Sequence, residues 1–234
     1  LKSRVAVAYY RAGDWQGTIT AAEEVFREDS IPMLLRMVGD AHIRLDDGIG
    51  LIYYEKVLER DPTDHLALRN LADFFYSIKD YDYVISRTED YLTEIDPDRT
   101  SIGQLNGMAH YAAGNYQPAI DRLLHNAELG DSTYSTSYFL GMSYYASKLY
   151  YDAIKWLALA YKQVTQPDVT LLYYYGTAMA RTYDREKGIE VLNEGMDKIE
   201  SLQEMLYDFD ISLAEVHDRS NEPSKAISYY QSAL

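Results

Sequence analysis

The chain has 234 residues, 47% of them hydrophobic, and carries a net charge of −15. That length allows one large domain or two ordinary ones, no apolar run approaches the roughly 20 residues needed to cross a bilayer, and the acidic balance excludes nucleic acid and anionic membrane surfaces, both of which require basic faces. It holds no cysteine, which excludes disulfides, thiol catalysis and cysteine zinc sites and leans toward a bacterial cell envelope or periplasm over the cytoplasm.

The first ten residues, LKSRVAVAYY, are already in helical pattern and lack a leading methionine, which predicts a piece of a longer protein. From there one plan recurs: a turn, a small residue, an isoleucine or leucine, then an amphipathic run. The isoleucine or leucine falls at Ile19, Leu51, Ile85, Ile120, Ile154, Ile189 and Ile227, at intervals of 32, 34, 35, 34, 35 and 38. The residue before it is small in Gly50, Ala119, Ala153, Gly188 and Ala226, with Thr18 and Val84 as exceptions. About twelve residues upstream stands another small residue each time: Ala6, Gly39, Ala72, Gly107, Gly141, Gly176 and Ala214. Small residues let two helices approach at the short end of the usual separation. Each period therefore reads as two amphipathic helices joined by a tight turn such as GDW from 13, KDY from 79 or GNY from 114. DP at 61 and 96 and QP at 166 end the second helix, because proline disfavours helix in the residue before it. The spacing predicts an all-α chain of about fourteen antiparallel helices in one domain, with repeats near 1–30, 31–62, 63–98, 99–132, 133–167, 168–205 and 206–234.

A period near 34 with these small residues and a proline near its end resembles the tetratricopeptide repeat (TPR) family, over the whole chain. The family's tryptophan is absent from the first helices, repeat 2 is a residue short in its turn, and repeat 6 is longer by about one helical turn. The resemblance implies a right-handed superhelical solenoid whose first helices line a concave, protein-binding face. The last repeat lacks a cap, which leaves Tyr230, Ala233 and Leu234 without a following repeat and makes the C-terminal end a candidate for homo-oligomer formation.

The same resemblance sorts the 24 tyrosines. Tyr144, Tyr150 and Tyr161 fall in packing slots, and Tyr151 on the outside. The fifth, ninth and twelfth positions of each first helix share one stripe and point into the concave face. In repeats 4 to 6 that stripe reads Gln104, Met108, Tyr111, then Tyr138, Met142, Tyr145, then Tyr173, Thr177, Ala180. In repeats 2 and 3 it holds Arg36 with Asp40 and Arg69 with Asp73, expected as i, i+4 charge pairs. Residues 101–167 are neutral overall, whereas 1–100 carry −8 and 168–234 carry −7. An aromatic stripe between acidic flanks suits a protein or peptide partner presenting an apolar segment with basic flanks, and tyrosine and methionine supply adaptable contact area. The site expected for a partner is therefore Gln104, Met108, Tyr111, Tyr138, Met142, Tyr145, Tyr173 and Thr177. Family members that clamp a C-terminal carboxylate use lysine and asparagine in the groove. Here the ninth position holds Val7, Asp40, Asp73, Met108, Met142, Thr177 and Glu215, so that mode is excluded.

No catalytic, cofactor or metal constellation emerges, and the chain reads as a non-enzymatic scaffold. His42, His110 and His217 occupy the same packing slot of three different repeats, while His65 opens a first helix and His125 lies on a second one. DPDRTSIGQLNG (96–107) has Ser101 where a calcium loop needs glycine and Gly107 where it needs glutamate. DDGIG at 46–50 is a turn with no strand before it. The activity of a larger protein to which this piece acts as an adaptor is the remaining reading.

Overall fold

A computed structural model describes residues 2–26, 31–182, 184–219 and 222–232. From residue 200 to 219 it describes the side chains of Tyr207, Ile211, Ala214, His217 and Asp218. The described residues form thirteen α-helices and no strand: α1 (Lys2–Ala12), α2 (Trp15–Phe26), α3 (Pro32–Arg44), α4 (Gly50–Arg60), α5 (His65–Ser77), α6 (Tyr81–Glu94), α7 (Thr100–Ala112), α8 (Tyr116–Glu128), α9 (Tyr134–Ala146), α10 (Tyr150–Gln163), α11 (Val169–Ala180), α12 (Arg185–Arg219) and α13 (Pro223–Ser232). They divide into two compact units, Leu1–Ser132 and Thr133–Leu234. None of the helices is long and apolar enough to cross a membrane.

The recurring small residues do what their spacing requires. Ala6, Gly39, Ala72, Gly107, Gly141, Gly176 and Ala214 are all buried, and so is each residue preceding the recurring isoleucine or leucine. A Cβ at Gly107 would lie 2.5 Å from Leu123 Cγ, and one at Gly141 would lie 2.7 Å from Leu157 Cγ. The two helices of these pairs thus touch through a leucine seated on a glycine. Five of the described turns are closed in one way as well. Gly13, Asp46, Lys79, Gly114 and Lys148 all adopt positive φ, between 58° and 82°. The following N–H bonds the carbonyl at the packing slot, from Asp14 to Tyr9, Asp47 to His42, Asp80 to Phe75, Asn115 to His110 and Leu149 to Tyr144, at 2.8–3.0 Å. This is the left-handed C-cap that satisfies the last carbonyls of a helix.

In the first unit α2 packs on α3, α4 on α5 and α6 on α7. Ile19 joins Ala6, Leu34, Met37 and Val38, and Ile85 packs on Ala72, Val84, Leu105 and Ala109. In the second unit Leu140, Leu157, Leu171 and Leu172 are fully buried. One expectation changes here. The repeat pattern places a turn near 205–206, whereas α12 continues through it as one helix of 35 residues. The cause is legible: a proline or a Gly-Asp pair stands at the other joints, but no glycine or proline occurs between 196 and 222. With nothing to stop the helix, the second helix of repeat 6 and the first of repeat 7 are one element. Ile189, the counterpart of Ile19 and Ile85, is left 49% exposed. At its far end α12 still forms a hairpin with α13, where Ala214 and Ala226 are buried. Ala233 and Leu234 lie outside the described residues.

Candidate functional site

In the first unit, α1 to α5 border a pocket of about 700 Å³ lined by Tyr10, Trp15, Asp40, Ile43, Arg44, Tyr54, Asn70, Asp73 and Phe74. Its size is that of an ordinary ligand cleft. Tyr10, Asp40, Ile43 and Asp73 are members of the ninth- and twelfth-position stripe, so in this unit the stripe does face a concavity. Asp40 is its chemical centre. Its Oδ2 accepts from Tyr10 Oη at 2.7 Å, and its Oδ1 from Tyr54 Oη at 2.7 Å and Asn70 Nδ2 at 3.0 Å. Burial, then the hydrogen bond to Asp40, pushes the Tyr10 hydroxyl up to about 12 and raises that of Tyr54 further. Both phenols therefore remain neutral donors around neutral pH.

The expected Arg36–Asp40 pair does not form. Arg36 Nε instead lies 3.2 Å from Asp64 Oδ2, and Asp64 also caps α5 by accepting from Leu66 and Ala67 N–H. Arg69 and Asp73 do pair, at 3.6 Å, with both side chains about half exposed. The crowding of the concavity raises the Asp73 carboxyl and Arg69 lowers it, with burial the larger effect. Trp15 meets Tyr10 edge-on at 5.7 Å between ring centres, and the Arg44 guanidinium stands 6.0 Å over the Trp15 ring.

The eight residues expected to bind a partner divide between the units. Gln104, Met108 and Tyr111 lie half-buried on α7 of the first unit, where Tyr111 tilts against Tyr116 at 5.9 Å. Tyr138, Met142 and Tyr145 lie on α9 and Tyr173 and Thr177 on α11 of the second unit. Tyr145 meets Tyr174 edge-on at 4.8 Å and Tyr150 at 5.4 Å, and Tyr173 meets Tyr174 at 5.1 Å. Arg181 donates to Tyr150 Oη at 2.7 Å and covers its ring. Tyr173 is 54% exposed, whereas Met142, at 3%, is a core residue and not part of a groove surface. Its helix buries Thr136, Ser137, Leu140 and Ser143 as well, so α9 is covered on more than one side and cannot show a full stripe. Tyr138 stacks on Tyr134 at 5.5 Å.

Two histidines of the packing slot have structural partners. His42 stacks on Tyr53 and bonds Asp47 at 2.9 Å, and His217 stacks on Tyr229 and bonds Glu222 at 2.6 Å. The backbone N–H of Ile49, then His42, holds the Asp47 carboxyl below its ordinary range. His110 stands beside Asn106, whose amide donates to Thr88 Oγ1 at 3.0 Å and Glu89 Oε2 at 3.1 Å. Among the described residues, no three His, Asp or Glu side chains are grouped to hold a metal ion.

No protein-family model matches the sequence, and no curated protein matches it. Solved structures share its fold. A tetratricopeptide repeat protein from Parabacteroides merdae is 13% identical with a TM-score of 0.65, over 99% of this chain and 90% of that one. YrrB, described as a TPR protein with an unusual peptide-binding site, is 19% identical with a TM-score of 0.63, over 76% and 91%. PilW, a type IV pilus biogenesis factor, is 12% identical with a TM-score of 0.61, over 97% and 96%. The chain has the tetratricopeptide-repeat fold.

Proposed function

We propose that the chain is a non-catalytic scaffold that binds a partner protein through an extended peptide or loop laid along its first helices. The observation that carries this reading is the pocket of α1 to α5, where aromatic faces and carboxylates converge on a concavity that the fold itself does not fill. The half-exposed tyrosines of α9 and α11 add apolar contact area with polar tips, the composition that interfaces favour. Within the resemblance, an apolar segment with basic flanks would meet Gln104, Met108 and Tyr111 in the first unit, or Tyr138, Tyr145, Tyr173 and Thr177 in the second. YrrB's description as peptide-binding and PilW's as a pilus biogenesis factor fit a binding role, and PilW fits a location in the bacterial cell envelope. The test is a paired capture from native extract with the wild type and a Tyr145→Ala/Tyr173→Ala variant, both verified as folded by circular dichroism. Each captured protein is then narrowed to its binding segment by titration calorimetry. A segment lost by about tenfold or more with the variant supports the tyrosine surface. No segment held by the wild type in calorimetry overturns the scaffold reading.

A specific observation favours a second reading, self-association. Ile189, Met196 and Ile199 on α12 and Ile227 and Tyr230 on α13 are each 39% to 57% exposed. Sedimentation over a hundredfold range of concentration decides it: a single monomeric species throughout removes this reading.

A further inference from the structure

Among the described residues, Asp40 is a carboxylate supplied with donors but not with a cation. Tyr10, Tyr54 and Asn70, its described partners, are all neutral. The nearby arginines are engaged elsewhere, Arg36 with Asp64 and Arg69 with Asp73. Three donors on two oxygens fix the carboxylate's orientation, and Tyr54, at 2% exposure, anchors it to the core. A second carboxylate, Asp73, and the side chains of Trp15, Tyr10 and Phe74 line the same pocket. Carboxylates beside aromatic faces make an environment for a cation, since both present negative potential.

The pocket also shows which cation. Arg44, on its rim, already places a guanidinium 6.0 Å over Trp15. A planar guanidinium can stack on such a ring while its fork of N–H groups reaches a carboxylate, which a compact ammonium cannot do equally well. At about 700 Å³ the pocket admits a whole side chain together with adjoining backbone. Residues 1–100 carry a net −8, so a basic segment is drawn to this part of the chain.

We propose that the pocket of α1 to α5 receives an arginine side chain from a basic extended segment of a partner protein, with Asp40 as its counter-ion, Trp15 as its stacking wall, and Arg44 as a resident competitor that the incoming arginine displaces. This rests on the scaffold reading and names the chemistry that it would recognise. It gives the two pocket residues opposite effects. Removing Asp40 weakens binding, whereas removing Arg44 strengthens it.

The chain has two tryptophans, so Trp156→Phe leaves Trp15 as the sole indole reporter inside the pocket. The probes are N-acetyl-arginine methylamide and its neutral isostere N-acetyl-citrulline methylamide, titrated while Trp15 emission is followed. The expected result is a saturable change with the arginine probe and none with the citrulline probe. Asp40→Asn weakens the arginine response about tenfold or more, and Arg44→Ala tightens it about three- to tenfold. Arg44 is exposed and outside the core, so its variant reports even if Asp40→Asn folds poorly. Equal responses to both probes, or no saturable response in Arg44→Ala, overturn the proposal. The two readings fail separately: a partner segment held equally well by the wild type and a folded Asp40→Asn protein leaves scaffolding intact and removes the arginine pocket.

Discussion

His110 shows how one side chain makes the fold sensitive to acid. It occupies the slot that Tyr9, Phe75 and Tyr144 fill in other repeats, and its Nδ1 is buried without a hydrogen-bond partner. Burial, the largest influence, holds its pKa below the ordinary histidine value, and Arg122 pushes the same way against Glu89. The unfolded chain therefore binds a proton more readily than the native one. Stability is full above the ordinary value of about 6.5 and falls as pH drops from there toward the lower native value. His110→Phe, which restores an aromatic without a titrating group, should flatten that acid limb. In thermal melts the fall in Tm from about pH 7 to pH 5 should be smaller than wild type by about 1–3 °C; identical falls would exclude His110 as a source. At this scale the sequence was only partly legible. The shared slot of His42, His110 and His217 follows from the period, but Asp40's partners do not. Its three donors come from 14 and 30 residues away, beyond the reach of i, i+4 reasoning. One signal was available: Tyr54 stands where Leu123, Leu157 and Leu192 stand in later repeats, a polar tip at an otherwise apolar position.

Between elements, the glycines decide how near two helices lie. Gly188 is the severe case, because a Cβ there would come within 2.6 Å of Ala180 N and 2.8 Å of Gly176 O. Both are backbone atoms that no rotamer change can move aside. Alanine would gain about 1 kcal/mol of helix propensity and lose up to about 3 kcal/mol to overpacking, so Gly188→Ala should cost about 2 kcal/mol and lower Tm by about 4–8 °C. Gly48 has nothing within 4 Å of its Cβ position, and Gly48→Ala should melt within about 1 °C of wild type. Comparable losses for both would refute the close-approach account. These small residues were readable from spacing alone. The α12 continuation is hidden from the period, because Ala214 and Ala226 carry the repeat plan on past residue 205 although no breaker residue marks a joint there.

At the scale of the molecule, repeat folds draw their stability from each pair and its nearest neighbours. That locality is why the repeat plan could be read from one sequence, since every unit restates the same few constraints. The binding surface was less legible for the same reason. A stripe assigned from the period takes no account of what the neighbouring helices bury, so it includes Met142, which lies in the core. It also ranks a charged stripe below an aromatic one, although a pocket of about 700 Å³ lies among the charges of the first unit.

The unbroken α12 changes how the end hairpin is aimed. A loop between helices absorbs an inserted residue by bending, whereas a helix converts it into rotation, about 100° and 1.5 Å for each residue. The direction in which α13 and its partner stretch of α12 face is thus set in phase with Gly176 and Leu192 by counting residues. Evolution can lengthen this joint by seven residues and return the hairpin to within about 20° of the same bearing. A single added residue would turn it by more than a quarter of a circle.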